Sequence, residues 1–204
     1  MNFNTIKLLV AAFIMFAASS AFAVPYNINV DTSSLNGANG FIYLQYGGIN
    51  AVDSTATVYN YSGGSLAAAS SANVVDGSAV SGQLPSSVVF ANTNGVNDYN
   101  HAILFGSSLD FNLLLSSNTF GAPVGGGSTF SLGLFADESG LIPLVTATGT
   151  VFTADLANDG NISFNYSDNV TVAPVPEPGT IVLLGVGMFG LCIFGKRRLN
   201  TMAG

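Results

Sequence analysis

Between Lys7 and Lys196 the chain contains no lysine and no arginine. This absence constrains the fold more than any motif does. An amphipathic helix clothes its wet face in long charged side chains, and the basic half of that supply is missing. Such a stretch must meet water with Ser, Thr, Asn and Gly, the residues of strand faces and turns. Composition agrees: of 204 residues only 7% are charged, 24 are glycine and none is tryptophan. The expectation is an all-β domain.

Period-2 alternation supports it. "FIYLQY" puts Phe41, Tyr43 and Gln45 on one face and Ile42, Leu44 and Tyr46 on the other, and stops at Gly47-Gly48. "TATVYNY" groups Thr55, Thr57, Tyr59 and Tyr61. "LDFNLLL" buries Leu109, Phe111, Leu113 and Leu115 with Asp110 and Asn112 outward; "TFSLGLF" buries Phe130, Leu132 and Leu134; "NISFNYS" sets Ile162, Phe164 and Tyr166 against Ser163 and Asn165. Tyr26 to Val30, Ser87 to Ala91, Ala102 to Phe105, Leu141 to Thr148 and Val170 to Val172 are further candidates, and "LAAASSA" could form a helical turn instead. About ten short strands at this spacing predict an antiparallel β-sandwich of jelly-roll type, flanked by an N-terminal signal helix and a C-terminal transmembrane helix.

The formal net charge of −7 is unevenly spread: all eleven acidic residues lie between Val24 and Gly195, and no basic residue does. A purely acidic body repels polyanions and has no cations with which to displace phosphate counterions, which excludes nucleic-acid binding. It also has no Lys or Arg for salt bridges, so stability must come from burial and backbone hydrogen bonds. The single cysteine, Cys192, forms no intramolecular disulfide.

Both ends read as membrane-directed. "MNFNTIKLLVAAFIMFAASSAFA" has Lys7 ahead of an apolar run and a small-x-small site at Ala21-Phe22-Ala23, the layout of a secretory signal peptide cut before Val24. The competing reading is a buried N-terminal helix. At the other end, Ile181 to Gly195 carries no charge. As a helix these fifteen residues reach roughly 22 Å against about 30 Å of hydrocarbon, a marginal span. Lys196, Arg197 and Arg198 would hold the C-terminus in the cytoplasm, leaving the body outside. Ahead of the span, Pro176 and Pro178 favour an extended backbone. Gly185-Val186-Gly187-Met188-Phe189-Gly190 fits G-x-G-x-x-G but opens no βαβ unit, so no dinucleotide site is expected.

An extended motif, a marginal span and a basic stop make a signal that a membrane protease reads and removes, as a GPI signal is removed. Val175-Pro176-Glu177-Pro178-Gly179-Thr180, the Gly-interrupted run and Lys196-Arg197-Arg198 closely resemble the PEP-CTERM sorting signal. The resemblance implies processing by an exosortase, a membrane cysteine transpeptidase-like enzyme of Gram-negative bacteria that make exopolysaccharide, and sorting to the cell surface or extracellular matrix. The competing reading is a single-pass anchor that is never cut. The division expected is a signal peptide at 1–23, a sandwich at 24–173 and a sorting region at 174–204. Val30 to Thr146, through stretches such as "VDTSSLNGANGFIYLQYGG" and "GSTFSLGLFADESGLIPLVT", is similar to a recurrent group of PEP-CTERM proteins without assigned activity.

Catalytic material is thin. His101 is the one histidine, and Asp98-Tyr99-Asn100-His101 could present a carboxylate and an imidazole at a loop-to-strand junction; a turn feeding a strand is the plainer reading. No catalytic residue and no cofactor are assigned. In "DLANDGNISF", Asp155, Asn158, Asp159 and Asn161 are oxygen donors suited to calcium, but Ala157 and Tyr166 depart from an EF-hand loop, and Asn158 to Asn161 reads equally as a hairpin turn. Asp159-Gly160-Asn161-Ile162-Ser163 also fits the extended bacterial N-glycosylation sequon. The functional expectation is a non-enzymatic exported protein of the cell surface or exopolysaccharide matrix. Its partners would be the Sec translocon, signal peptidase, an exosortase and exopolysaccharide. The alternatives are a carbohydrate-binding module using exposed Tyr or Asn side chains such as Tyr59, Tyr61 and Tyr99, a calcium-binding module, and a hydrolase.

Overall fold

The computed structural model describes residues 25–68, 72–76, 79–93, 95–117, 125–176 and 187. Its strands form two sheets, and every pairing is antiparallel. Across one sheet lie β13 (Val170–Pro174), β1 (Pro25–Asp31), β9 (Ser108–Ser117), β3 (Ser54–Ser62), β7 (Ser87–Ala91) and β6 (Val80–Gln83). Across the other lie β12 (Ile162–Tyr166), β11 (Thr150–Ala157), β10 (Gly127–Phe135), β2 (Asn39–Ile49), β8 (Asn97–Leu104) and β4 (Ser65–Leu66), with β5 (Ala72–Asp76) also on β8. The central pairs are nested: β1 with β9, β2 with β8, β3 with β7, alternating between the sheets. The chain thus travels out and returns along its own path.

Alternation in sequence becomes burial in structure. Ile42, Leu44 and Tyr46 of β2, Leu109, Phe111, Leu113 and Leu115 of β9, and Phe130, Leu132 and Leu134 of β10 all face the shared core. Burying each is worth about 1.5–3 kcal/mol relative to exposure. A row of aromatic rings crosses the sandwich from edge to centre. Tyr26 meets Phe164 at 4.7 Å edge-on, Phe164 stacks on Phe152 at 5.9 Å, Phe152 meets Phe130 at 6.3 Å, and Phe130 meets Phe90 at 6.2 Å. Two of these contacts, Tyr26–Phe164 and Phe130–Phe90, join one sheet to the other.

Three expectations need correction. Leu141 to Thr148 is a loop with one bridge, Phe135 to Pro143. The Asp137 carboxylate takes the N–H groups of Leu141 and Ile142, and Pro143 has none to give to a ladder. In β3, Tyr59 and Tyr61 do not share a face, because a bulge with Asn60 at φ 54 shifts the register and turns Tyr61 against the core. His101 lies inside β8 rather than at its start. β4, β5 and β6 were not anticipated: β4 and β6 are only two and four residues long, and β5, "ANVVD", carries no alternation. The signal peptide at 1–23, with its cleavage residues Ala21 and Ala23, lies outside the described residues. So does the span expected over 180–195, apart from Gly187. Among the described residues no helix is long and apolar enough to cross a membrane.

Candidate functional site

The sandwich ends where the tail begins. β13 is the edge strand, paired only with β1, in a register that sets Pro174 opposite Tyr26. One residue further, the Val175 N–H donates to the Pro25 carbonyl at 2.8 Å. The chain therefore enters its first strand and leaves its last at the same point. Because Val175 points its N–H toward β1, antiparallel alternation turns the nitrogens of Pro174 and Pro176 toward the open side of the edge. Both lack a hydrogen there, so this end of the edge offers no donors to an added strand. Pro176 is exposed. Glu177, Pro178, Lys196, Arg197 and Arg198 lie outside the described residues.

The same end is braced from within by two asparagines. Asn158, after β11, accepts from the Val52 N–H at 3.0 Å and donates to the Asn50 carbonyl at 2.8 Å. Asn92 donates to the Val52 carbonyl at 2.7 Å and to Ser128 Oγ at 2.9 Å, and accepts from the Ser54 N–H at 3.0 Å. Ser54 Oγ bridges Ser128 Oγ and the Tyr46 hydroxyl at 3.0 and 2.7 Å. These side chains replace ladder hydrogen bonds for the β2–β3 connection. Sequence reasoning missed this brace: its members are scattered over more than a hundred positions, and only their polarity in buried surroundings marks them.

Of the four oxygen donors considered for calcium, Asp155 and Asn158 are engaged with other segments, and Asp159 and Asn161 with each other. Asp155 accepts from Thr129 Oγ1 at 2.5 Å across the β10–β11 ladder, and Asn158 faces inward, committed as above. Asp159 accepts from the Asn161 N–H at 3.0 Å and from Asn161 Nδ2 at 2.7 Å. Asn158 to Asn161 is a hairpin turn, closed by the Gly160 N–H on the Ala157 carbonyl at 2.9 Å. Gly160 sits at φ 87, a left-handed conformation costly for any residue with a Cβ.

His101 is 1% exposed and works as a strut. The Leu84 N–H donates to the Tyr99 hydroxyl at 3.1 Å, and that hydroxyl lies 2.9 Å from His101 Nδ1. His101 Nε2 lies 3.1 Å from the Ala67 carbonyl, which can only accept. A proton therefore sits on Nε2, and in the neutral ring the Tyr99 hydroxyl donates to Nδ1. Asp98 is three positions away in the strand and so lies on the other face from His101. Tyr99 itself is 1% exposed. With Tyr61 against the core as well, the exposed trio Tyr59, Tyr61 and Tyr99 expected for sugar stacking does not exist. Burial raises the pKa of the Tyr99 and Tyr61 phenols above the ordinary tyrosine value. At the far end of β1, Asp31 is held below the usual carboxylate range by hydrogen bonds from Ser33.

Residues 174–198 match the family model for the PEP-CTERM protein-sorting motif. The match begins on Pro174, the last residue of β13, and covers every residue assigned above to the sorting signal and basic stop. That motif marks an exported protein held transiently at the membrane by its C-terminus and processed by exosortase, a membrane protease. No curated protein and no solved structure matches the chain.

Proposed function

We propose that the chain is a non-enzymatic protein of the cell surface or exopolysaccharide matrix, a β-sandwich of jelly-roll type delivered by its own C-terminus. The nested strand pairs, alternating between sheets, support that fold reading. The observation that carries the functional one is the absence of a linker: the sorting motif starts on the residue that ends the sandwich. The folded domain is then the cargo, and the tail its address.

In this reading the Sec translocon exports the chain, signal peptidase cuts before Val24, and Lys196 to Arg198 keep the C-terminus cytoplasmic until exosortase releases the body. The sole histidine serves as a buried strut between Tyr99 and Ala67, which supports a structural role over a catalytic one. Cell fractionation with intact-mass measurement tests the proposal. The expected result is an extracellular chain lacking both ends; an intact 204-residue chain in the cytoplasm overturns it.

A further inference from the structure

We propose that Asn161 is the acceptor for an N-linked glycan, transferred from a polyprenyl-diphosphate carrier while the sandwich stands at the membrane. Four Asn-x-Ser/Thr triplets occur in the chain, at Asn60, Asn161, Asn165 and Asn169. The structure separates them. Asn169 is half-buried, its amide on the Asp31 carbonyl at 3.1 Å and its oxygen accepting from Ser167 Oγ at 2.5 Å. Asn60 occupies the β3 bulge, and Asn165 lies mid-strand in β12 opposite Thr153. Asn60 and Asn165 are exposed as Asn161 is, but Asn161 alone stands at a hairpin tip, with an exposed Ser163 two residues on and a carboxylate, Asp159, two residues before.

That carboxylate organises the acceptor. Its two oxygens take the Asn161 backbone N–H at 3.0 Å and Nδ2 at 2.7 Å, fixing the carboxamide against its own backbone. A carboxamide nitrogen is a poor nucleophile, because its lone pair is delocalised into the carbonyl. An anion accepting its N–H raises electron density on that nitrogen and pre-orients it at no further entropic cost. In the transfer, Nδ2 bonds to the anomeric carbon of the glycan and the bond from that carbon to the diphosphate oxygen breaks. The polyprenyl diphosphate leaves with the electron pair, and Nδ2 gives up one proton to a base of the transferase.

Placement supplies the donor. β12 runs away from Asn161 and β13 returns, so the hairpin tip and the departing tail share one end of the sandwich, joined through the Tyr26–Phe164 contact. A lipid-borne donor is confined to the bilayer from which that tail emerges; this step rests on the membrane reading of the tail. The glycan would stand at the start of β12, an open edge strand of five residues without charge, and would cover it.

The test is peptide mass spectrometry on protein produced in its native cells. Chymotrypsin is the protease to use, since residues 8–195 offer trypsin no Lys or Arg. The peptide containing Asn161 is expected to carry added sugar masses on that residue. They should vanish in Asn161→Gln, Asp159→Asn and Ser163→Ala and persist in Asn165→Gln. Unmodified Asn161 in exported wild-type protein overturns this proposal and leaves sorting intact. An intact cytoplasmic chain overturns the sorting reading and this one with it. The wild-type peptide decides the matter even if a variant fails to fold.

Discussion

At the scale of single residues, the polar groups inside the sandwich matter most, because each must be satisfied where water cannot reach. The relay from Leu84 through Tyr99 and His101 to Ala67 uses one hydroxyl to serve two neighbours. Tyr99→Phe strands the Leu84 N–H and His101 Nδ1 without a partner. The expected cost is about 1–3 kcal/mol, read as a lower denaturation midpoint with an unchanged slope against denaturant. A loss below about 0.5 kcal/mol would show that the relay is dispensable. None of this was visible in the sequence, where Asp98 and His101 suggested a polar junction. Strand parity, evident only once β8 extends back to Asn97, sends the two to opposite faces.

At the scale of strands, the legible elements were those with a long apolar alternation. β9 and β10 bury the leucines and phenylalanines that the pattern assigned, because a residue's face is fixed by parity once a strand is regular. Parity fails where the backbone breaks step: the bulge at Asn60 reverses Tyr61, and the carboxylate of Asp137 diverts Leu141 and Ile142 into a loop. Both events depend on partners distant in sequence or on a single φ angle, and no windowed pattern reports them. The aromatic row gives β10 a test of its own. Phe130 is fully buried between Phe90 and Phe152, so Phe130→Ala should cost about 3–5 kcal/mol, whereas Tyr166→Ala at the exposed edge should stay within about 0.5 kcal/mol. Equal losses would show that the row is not the core's centre.

At the scale of the whole molecule, the sandwich has no basic side chain to set against its acids and relies on buried apolar and phenolic groups. Burial raises the pKa of Tyr43, Tyr46, Tyr61 and Tyr99 in the folded state. In the unfolded chain these phenols ionise near pH 10, before they do so in the fold. Above that pH the unfolded state therefore binds fewer protons, and stability falls as pH rises. Their contribution is complete below about pH 10 and drains away toward the higher folded values. Chemical denaturation between pH 8 and pH 12 should show a midpoint flat at first and then falling; a flat profile throughout would contradict the burial of these hydroxyls.

The contact between Val175 and Pro25 also sets an order in time. A chain threaded N-terminus first delivers β1 earliest, and that strand must wait for β9 to pair one of its edges and for β13 to pair the other. Such distant pairings close slowly. In the proposed topology, with the body exported and the C-terminus held in the cytoplasm, the β1–β13 pairing is complete only once Val175 has crossed, when the segment behind it has reached the bilayer. Completion of the fold is in that sense a clock: the sandwich closes only when its address label has arrived.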